Sequence, residues 1–230
     1  MSDGGREHFH KELLKLGELI LKMGAAVEQS IIRSVKALEK MDTQMANEII
    51  SSDDAIDKTE LEVDDLCLEL LATQQPMAVD LRFITTGMRI GTDLERVGDL
   101  AVDIAERVLD LSAQPPIKSF PDIPKMAELA EKMVHRALDA FVKRDADLAR
   151  TLWKDEDEAD RYRDQVHDEL IDLMKKEPEA SPRIIPLILI SRHLERIADH
   201  ATNIAEDVIY MVEGKVVKHL LPKPPSKYST

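Results

Sequence analysis

Aromatic side chains are nearly absent from this chain: one Trp, three Tyr and four Phe make up 3% of its 230 residues. Such a surface has no platform on which bases could stack. With 45 Asp plus Glu against 31 Lys plus Arg, the net charge of −14 also opposes nucleic acid and anionic lipid. Cysteine is reduced to Cys67, so no internal disulfide can form and nothing calls for an oxidising compartment; a cytoplasmic location is expected. The eight glycines, at 4, 5, 17, 24, 87, 91, 98 and 214, form neither a Walker loop nor a dinucleotide fingerprint. No Gly-x-Ser-x-Gly elbow or Cys/His nucleophile pair is present either. Long hydrophobic runs are also missing. The longest, Ile184 to Ile190, is broken by Pro186 and too short for a bilayer, and Met1 to His10 is polar with no signal-type run after it. A soluble protein without membrane insertion is the expectation.

What the chain does have is a 43% hydrophobic content drawn from Leu, Ile, Val, Ala and ten Met, which suits packed helices better than a β-sandwich. From Leu16 the apolar residues Leu19, Ile20, Met23, Val27, Ile31, Val35, Leu38 and Met41 recur at steps of three and four, which predicts one long amphipathic helix. Asp42 is placed to cap a second helix, whose stripe runs Met45, Ile49, Ile56, Val63, Cys67 and Leu70 until Gln74-Gln75-Pro76 ends it. A third, from about Met77 to Leu111, carries Leu94, Val97, Ala101, Ile104 and Val108. Pro and Ser crowd the stretch from Ser112 to Pro124 and mark a boundary.

Beyond that boundary the pattern repeats. An offset of 103 places Asp42 on Asp145, Met45 on Leu148, Ile49 on Leu152, Val63 on Val166 and Leu70 on Leu173. At an offset of 100, DLERVGDLAVDIAE (Asp93 to Glu106) matches HLERIADHATNIAE (His193 to Glu206) with eight identities in 14. The expected fold is therefore all-α, with six helices in two tandem, sequence-related three-helix bundles over 1–113 and 120–219, and a disordered tail over 220–230. Self-association is expected too, because a single three-helix bundle leaves parts of such Met- and Ala-rich faces uncovered.

The duplication also keeps acids. Glu95, Asp99 and Asp103 follow at i,i+4 on the third helix, and Glu195, Asp199 and Asn203 repeat them on the sixth. Glu106 and Glu206 extend the two arcs, and the second and fifth helices add Asp54, Asp57 and Asp65 against Asp157, Asp160 and Asp168. Like charges at i,i+4 cost a few tenths of a kcal/mol per pair, so retaining them twice points to a compensating cation, a metal ion or a nearby Arg. Oxygen-only donors suit hard or borderline divalent metals, or iron under several bridging carboxylates. A solvated acidic face is the plainer reading of any one such pair. Arg96 and Arg196, which follow each Glu, are read as structural salt bridges. His193 and His200 replace Asp93 and Leu100 and are read as non-ligands; Cys67 and Trp153 are read as packing residues, and Gly91 and Gly98 as close helix contacts.

The run QPMAVDLRFITTGMRIGTDLERVGDLAVDIAE (Gln75 to Glu106), with SRHLERIADHATNIAEDVIYMVEG (Ser191 to Gly214), closely resembles the PhoU family of phosphate-transport regulators over nearly the whole chain. The resemblance implies a cytoplasmic, usually dimeric protein with two three-helix bundles. It implies partners as well: the ATPase subunit of a phosphate ABC transporter and a phosphate-sensing histidine kinase, with uptake restrained when phosphate is plentiful. Some relatives carry iron clusters or zinc through Glu/Asp-x-x-x-Asp motifs, which fall here on Glu95, Asp99 and Asp103 and on Glu195 and Asp199. Asn203 departs from the motif and implies a weaker second site; manganese or magnesium are further candidates. The competing class, a carboxylate-metal protein with storage or redox activity, needs Glu-x-x-His motifs facing a bundle core. The sequence has only one such spacing, Glu7 to His10 in the polar start of the chain, and not the pair that a core site needs, so a non-catalytic adaptor is expected.

Overall fold

The structure, a computed structural model, describes residues 3–115 and 122–217. They form α1 (Asp3–Lys40), α2 (Thr43–Ser52), α3 (Asp54–Gln74), α4 (Val79–Ser112), α5 (Ile123–Lys143), α6 (Ala146–Arg150), α7 (Leu152–Lys176) and α8 (Ser181–Glu213), with a 3₁₀ turn at Pro178–Ala180. The expected tail over 220–230 lies outside the described residues, as does 116–121 within the expected boundary.

The apolar stripe of α1 is buried from Leu16 through Ile20, Met23, Val27, Ile31 and Val35 to Leu38. At its end the chain turns through Met41, at φ 50°, and Asp42 donates its N–H to Ala37 O at 2.9 Å. The Asp42 carboxylate then caps α2 by accepting from Met45 N–H at 2.9 Å. The second half builds the same turn: Arg144 has φ 51°, Asp145 N–H reaches Ala140 O at 2.9 Å, and the Asp145 carboxylate accepts from the Asp147 and Leu148 N–H groups. The duplication is thus present down to individual hydrogen bonds.

The predicted second and fifth helices are each broken once, at Asp53 and at Thr151. A hydroxyl bonds back to the preceding turn at each: Ser52 donates to Ile49 O at 2.9 Å, and Thr151 to Leu148 O at 2.7 Å. Each joint tightens to i→i+3, with Ile56 N–H on Asp53 O at 2.7 Å and Thr151 N–H on Leu148 O at 3.1 Å.

Each repeat is a three-helix bundle in which α2–α3 pack on α1 and α4, and α6–α7 on α5 and α8. The two bundles also pack on each other: α4 meets α8 in the most extensive contact of the molecule and α1 meets α5, so α1, α4, α8 and α5 form a central four-helix layer. α4 and α8 run antiparallel, since Arg82 bonds Met211 O, Arg89 pairs with Asp207, Asp93 with His200 and Asp103 with His193. The approach of α1 to α5 is close enough that a Cβ on Gly24 would stand 2.2 Å from Leu138 Cδ1. This packing corrects the premise behind self-association. Met23, Met126, Met133 and Met211, with Ala37, Ala137, Ala140 and Ala201, are buried within one chain.

Candidate functional site

On α4, Glu95 and Asp99 sit one turn apart, and Arg96 between them bridges both, at 3.3 and 3.2 Å. Asp57 and Glu60 of α3 and Asp53 at the α2–α3 joint lie within electrostatic reach of this pair. Close packing brings them there: a Cβ on Gly91 would stand 3.2 Å from Val63 Cγ1, and one on Gly98 would stand 3.2 Å from both Asp53 Oδ1 and Ile56 Cδ1. A Cβ at either position would be tighter than an ordinary contact and would make these side chains give by a few tenths of an ångström, so both glycines serve close helix contacts as expected.

The price of the arrangement appears in the proton affinities. Burial, reinforced by Asp57, Asp99 and Asp54, pushes the Asp53 carboxyl up to about 6. Glu95 is raised by burial and by Asp99, against the pull of Arg96, and Glu60 by burial, Asp64 and Asp57. The first repeat therefore gathers five carboxylates, Asp53, Asp57, Glu60, Glu95 and Asp99, around the half-exposed Arg96. As the side chains stand, no three acidic, His or Cys groups among the described residues converge on one point in the manner of a metal site. The donors are nonetheless of the right chemistry for a hard or borderline divalent ion, all oxygen and mutually repelling.

Asp103 does not join this group. It is drawn across to α8, where His193 Nδ1 lies 3.6 Å from it, while Asp93 hydrogen-bonds His200 Nδ1 at 2.8 Å. Both histidines thus serve the contact between the repeats. Burial holds His193 below the ordinary imidazole range, with Asp103 opposing.

The second repeat is organised differently. Glu195 and Asp199 again lie a turn apart on α8, but the cation beside them comes from α7. Arg163, only 5% exposed, places Nη1 2.6 Å from Glu195 and 3.1 Å from Asp160, and Nη2 2.9 Å from Asp164. Burial alone would lower the guanidinium's proton affinity; Asp160, Glu195 and Asp164 together hold it above the ordinary value. Burial raises Glu195, with Asp199 adding and Arg163 opposing. Asn203 is partly buried on α8, a further turn along. Sequence reasoning missed Asp53, Glu60 and Arg163. The 103-residue offset, which sets Arg163 on Glu60, carried the signal.

The remaining candidates pack. Cys67 is buried, donates to Ile84 O at 3.5 Å, and is pushed up to about 12 by burial and Asp64, so it is no nucleophile. Trp153 lies partly buried against the core. No helix among the described residues is long and apolar enough to cross a membrane.

Fold and site together define an internally duplicated helical-bundle protein that carries a carboxylate cluster on each repeat. A PhoU domain matches it twice, over residues 20–108 and 123–208. The chain belongs to the PhoU family. It is 36% identical over 213 residues to the phosphate-specific transport system accessory protein PhoU homolog of Clostridium acetobutylicum, covering 92% of this chain and 97% of that protein. The corresponding protein of Pseudomonas aeruginosa is 37% identical over 216 residues, covering 93% and 89%. Among solved structures, PhoU from Pseudomonas aeruginosa superimposes with a TM-score of 0.86 at 37% identity, over 90% of this chain and 100% of that one. The phosphate transport system regulatory protein PhoU from Streptococcus pneumoniae gives 0.84 at 33%, over 91% and 99%.

Proposed function

We propose that this protein is a cytoplasmic, non-catalytic negative regulator of phosphate uptake and of phosphate-starvation signalling, an adaptor between the ATPase subunit of a phosphate ABC transporter and a sensor histidine kinase. The observation that carries the reading is end-to-end similarity: relatives named phosphate-specific transport system accessory proteins match over more than nine-tenths of this chain, both repeats included. The physical picture agrees with an adaptor, because the clustered carboxylates are only partly buried and the interior is filled mainly by aliphatic side chains. Oxygen or redox chemistry needs a site from which water is excluded, and that weighs against the storage or redox alternative. The test is deletion of the gene in phosphate-rich medium, with phosphate uptake and a starvation-responsive reporter as readouts. Derepression of both is expected, and unchanged output from both would overturn the proposal.

The same reading includes a divalent cation, with iron or zinc first and manganese or magnesium next, on the first repeat. Glu95 and Asp99 would hold it with Asp53, Asp57 or Glu60, and it would add positive charge to that of the exposed Arg96. It also includes a homodimer. On α1, Leu14, Leu21 and Ile32 remain exposed and lie within about 20° of one line at ~100° per residue, a face open to a second copy. Light scattering of the full chain should give a mass above 26.0 kDa, and a strict monomer would overturn that part.

A further inference from the structure

Because the two repeats superimpose in sequence and in hydrogen bonding, each acidic position of the first cluster has a counterpart in the second. Asp53 corresponds to Glu156, Asp57 to Asp160, Glu95 to Glu195 and Asp99 to Asp199, all still acidic. The fifth, Glu60, corresponds to Arg163, and outside the cluster Asp64 corresponds to His167 and Asp103 to Asn203. Every change removes negative charge, and the largest places a guanidinium inside the cluster.

We infer that Arg163 is the built-in cation of the second repeat, that the carboxylates around it take no divalent metal, and that metal binding in this chain is confined to the first repeat. The last clause rests on the cation reading proposed above; the first two do not. The geometry is that of a filled site. Arg163 points its guanidinium at three carboxylates from two helices, Asp160 and Asp164 on α7 and Glu195 on α8, at 2.6 to 3.1 Å. Its Nε also donates to Asp164 at 3.0 Å.

A metal ion seeking Glu195 would have to displace a group that is nine-tenths buried. An arginine, unlike a lysine, cannot make room by losing its proton, so a displaced guanidinium would remain as a second positive charge beside the metal. His167, one turn further along α7 and 9% exposed, is held below the ordinary imidazole range by burial and then by Arg163, and so adds no negative charge. Among the described residues of the first repeat no buried Arg or Lys takes that place. Glu60 stands where Arg163 stands, and Arg96, with 57% of its side chain exposed, can swing away into water. The expectation from the motif alone was a weakened second metal site caused by Asn203. The structure instead assigns the difference to an arginine on another helix.

The test uses the full chain stripped of metal by chelation and titrated with Mn²⁺, with bound ion read from loss of the free-Mn²⁺ electron paramagnetic resonance signal. Glu95→Gln should lose the bound Mn²⁺, whereas Glu195→Gln should leave it unchanged. Arg163→Glu, which restores the first-repeat residue, should gain bound Mn²⁺ that persists when Glu95→Gln is added and is lost when Glu195→Gln is added. Arg163→Gln, which removes the charge but keeps polar contacts, should gain it more weakly and serves if Arg163→Glu does not fold by circular dichroism. Loss of bound Mn²⁺ in Glu195→Gln, or folded Arg163 variants that gain none, would overturn the inference. A wild-type chain that binds no Mn²⁺ would overturn the first-repeat reading alone, since a gain in the Arg163 variants would still identify the guanidinium as the occupant.

Discussion

Replacing Asp53 by Asn should stabilise the metal-free protein at neutral pH, although it removes a charged residue from the start of a helix. The Asp53 carboxyl is pushed from 3.8 up to about 6 by burial and by Asp57, Asp99 and Asp54. A raised carboxyl favours the folded state when protonated. Its contribution is complete below the unfolded value of 3.8 and is lost as pH rises through about 6. At about 1.4 kcal/mol per unit the shift corresponds to roughly 3 kcal/mol, and partial solvent exposure halves this to about 1.5. Against it stands the favourable field of a helix N-terminus on a carboxylate, about 0.5 kcal/mol. No capping bond is forfeited, because the Asp53 side chain accepts none at the start of α3. The net gain at pH 7 is about 1 kcal/mol, or about 2–4 °C in Tm for a chain of this size. Thermal melts of chelated wild type and Asp53→Asn at pH 7 and pH 4.5 measure it. At pH 4.5 the native carboxyl is protonated but the unfolded one, with its value of 3.8, is still largely ionised, so the difference should narrow there and close only below pH 3.8. A lower Tm for the variant at pH 7, or an equal gain at both pH values, would refute the reasoning.

Asp42→Ala and Asp145→Ala should each cost about 1 kcal/mol by removing a helix cap, and the Gly variants only a few tenths; equal Tm for Ala and Gly variants would count against capping. The Cys67 thiol, buried and pushed up to about 12, should resist a thiol reagent at pH 8 and label fully in denaturant, so rapid labelling of the native protein would contradict its placement. Phe141 stacks on Phe83 at 5.2 Å between ring centroids and ties α5 to α4, so Phe141→Ala should cost about 3–5 kcal/mol in urea unfolding. A cost below about 1 kcal/mol would place the junction of the repeats elsewhere.

Periodicity carried the six helices and their duplication, since an amphipathic stripe is a property of spacing alone. The breaks at Asp53 and Thr151 escaped it because the stripe stays in phase across them: Ile49 and Ile56 are both buried, a heptad apart, on either side of the first. Ser52 before the first joint and Thr151 at the second bond their own backbone, but Ser34 and Ser191 do the same inside unbroken helices, so the breaks left no distinct mark in the sequence. At the site, the adjacency of Glu95 and Asp99 follows from i,i+4 geometry and was legible. The departure of Asp103 to His193 was not, because it depends on how α8 lies against α4. Arg163 was hidden by the question asked of the sequence. A search for acids kept in both copies passes over a position where one copy has reversed its charge.

That reversal is not demanded by the fold. The aliphatic positions and the capped turns are matched between the repeats, and although Arg163 is more deeply buried than Glu60, the sign of the charge is the chief difference between the two positions. Glu60→Arg should then transplant the second repeat's solution into the first. The new guanidinium would stand near Asp57 and Glu95, whose mutual repulsion with Glu60 raises the proton affinities there. Chelated Glu60→Arg should gain about 1 kcal/mol at pH 7, with salt eroding the part that is exposed. Because Asp57 also acts on Asp53, the gain should not add fully to that of Asp53→Asn. The double variant should fall short of the sum by on the order of 0.5 kcal/mol, which a double-mutant cycle in urea can resolve. Full additivity would mean that the two positions belong to separate fields, and a destabilised Glu60→Arg would mean that Arg163 is accommodated by features the first repeat lacks.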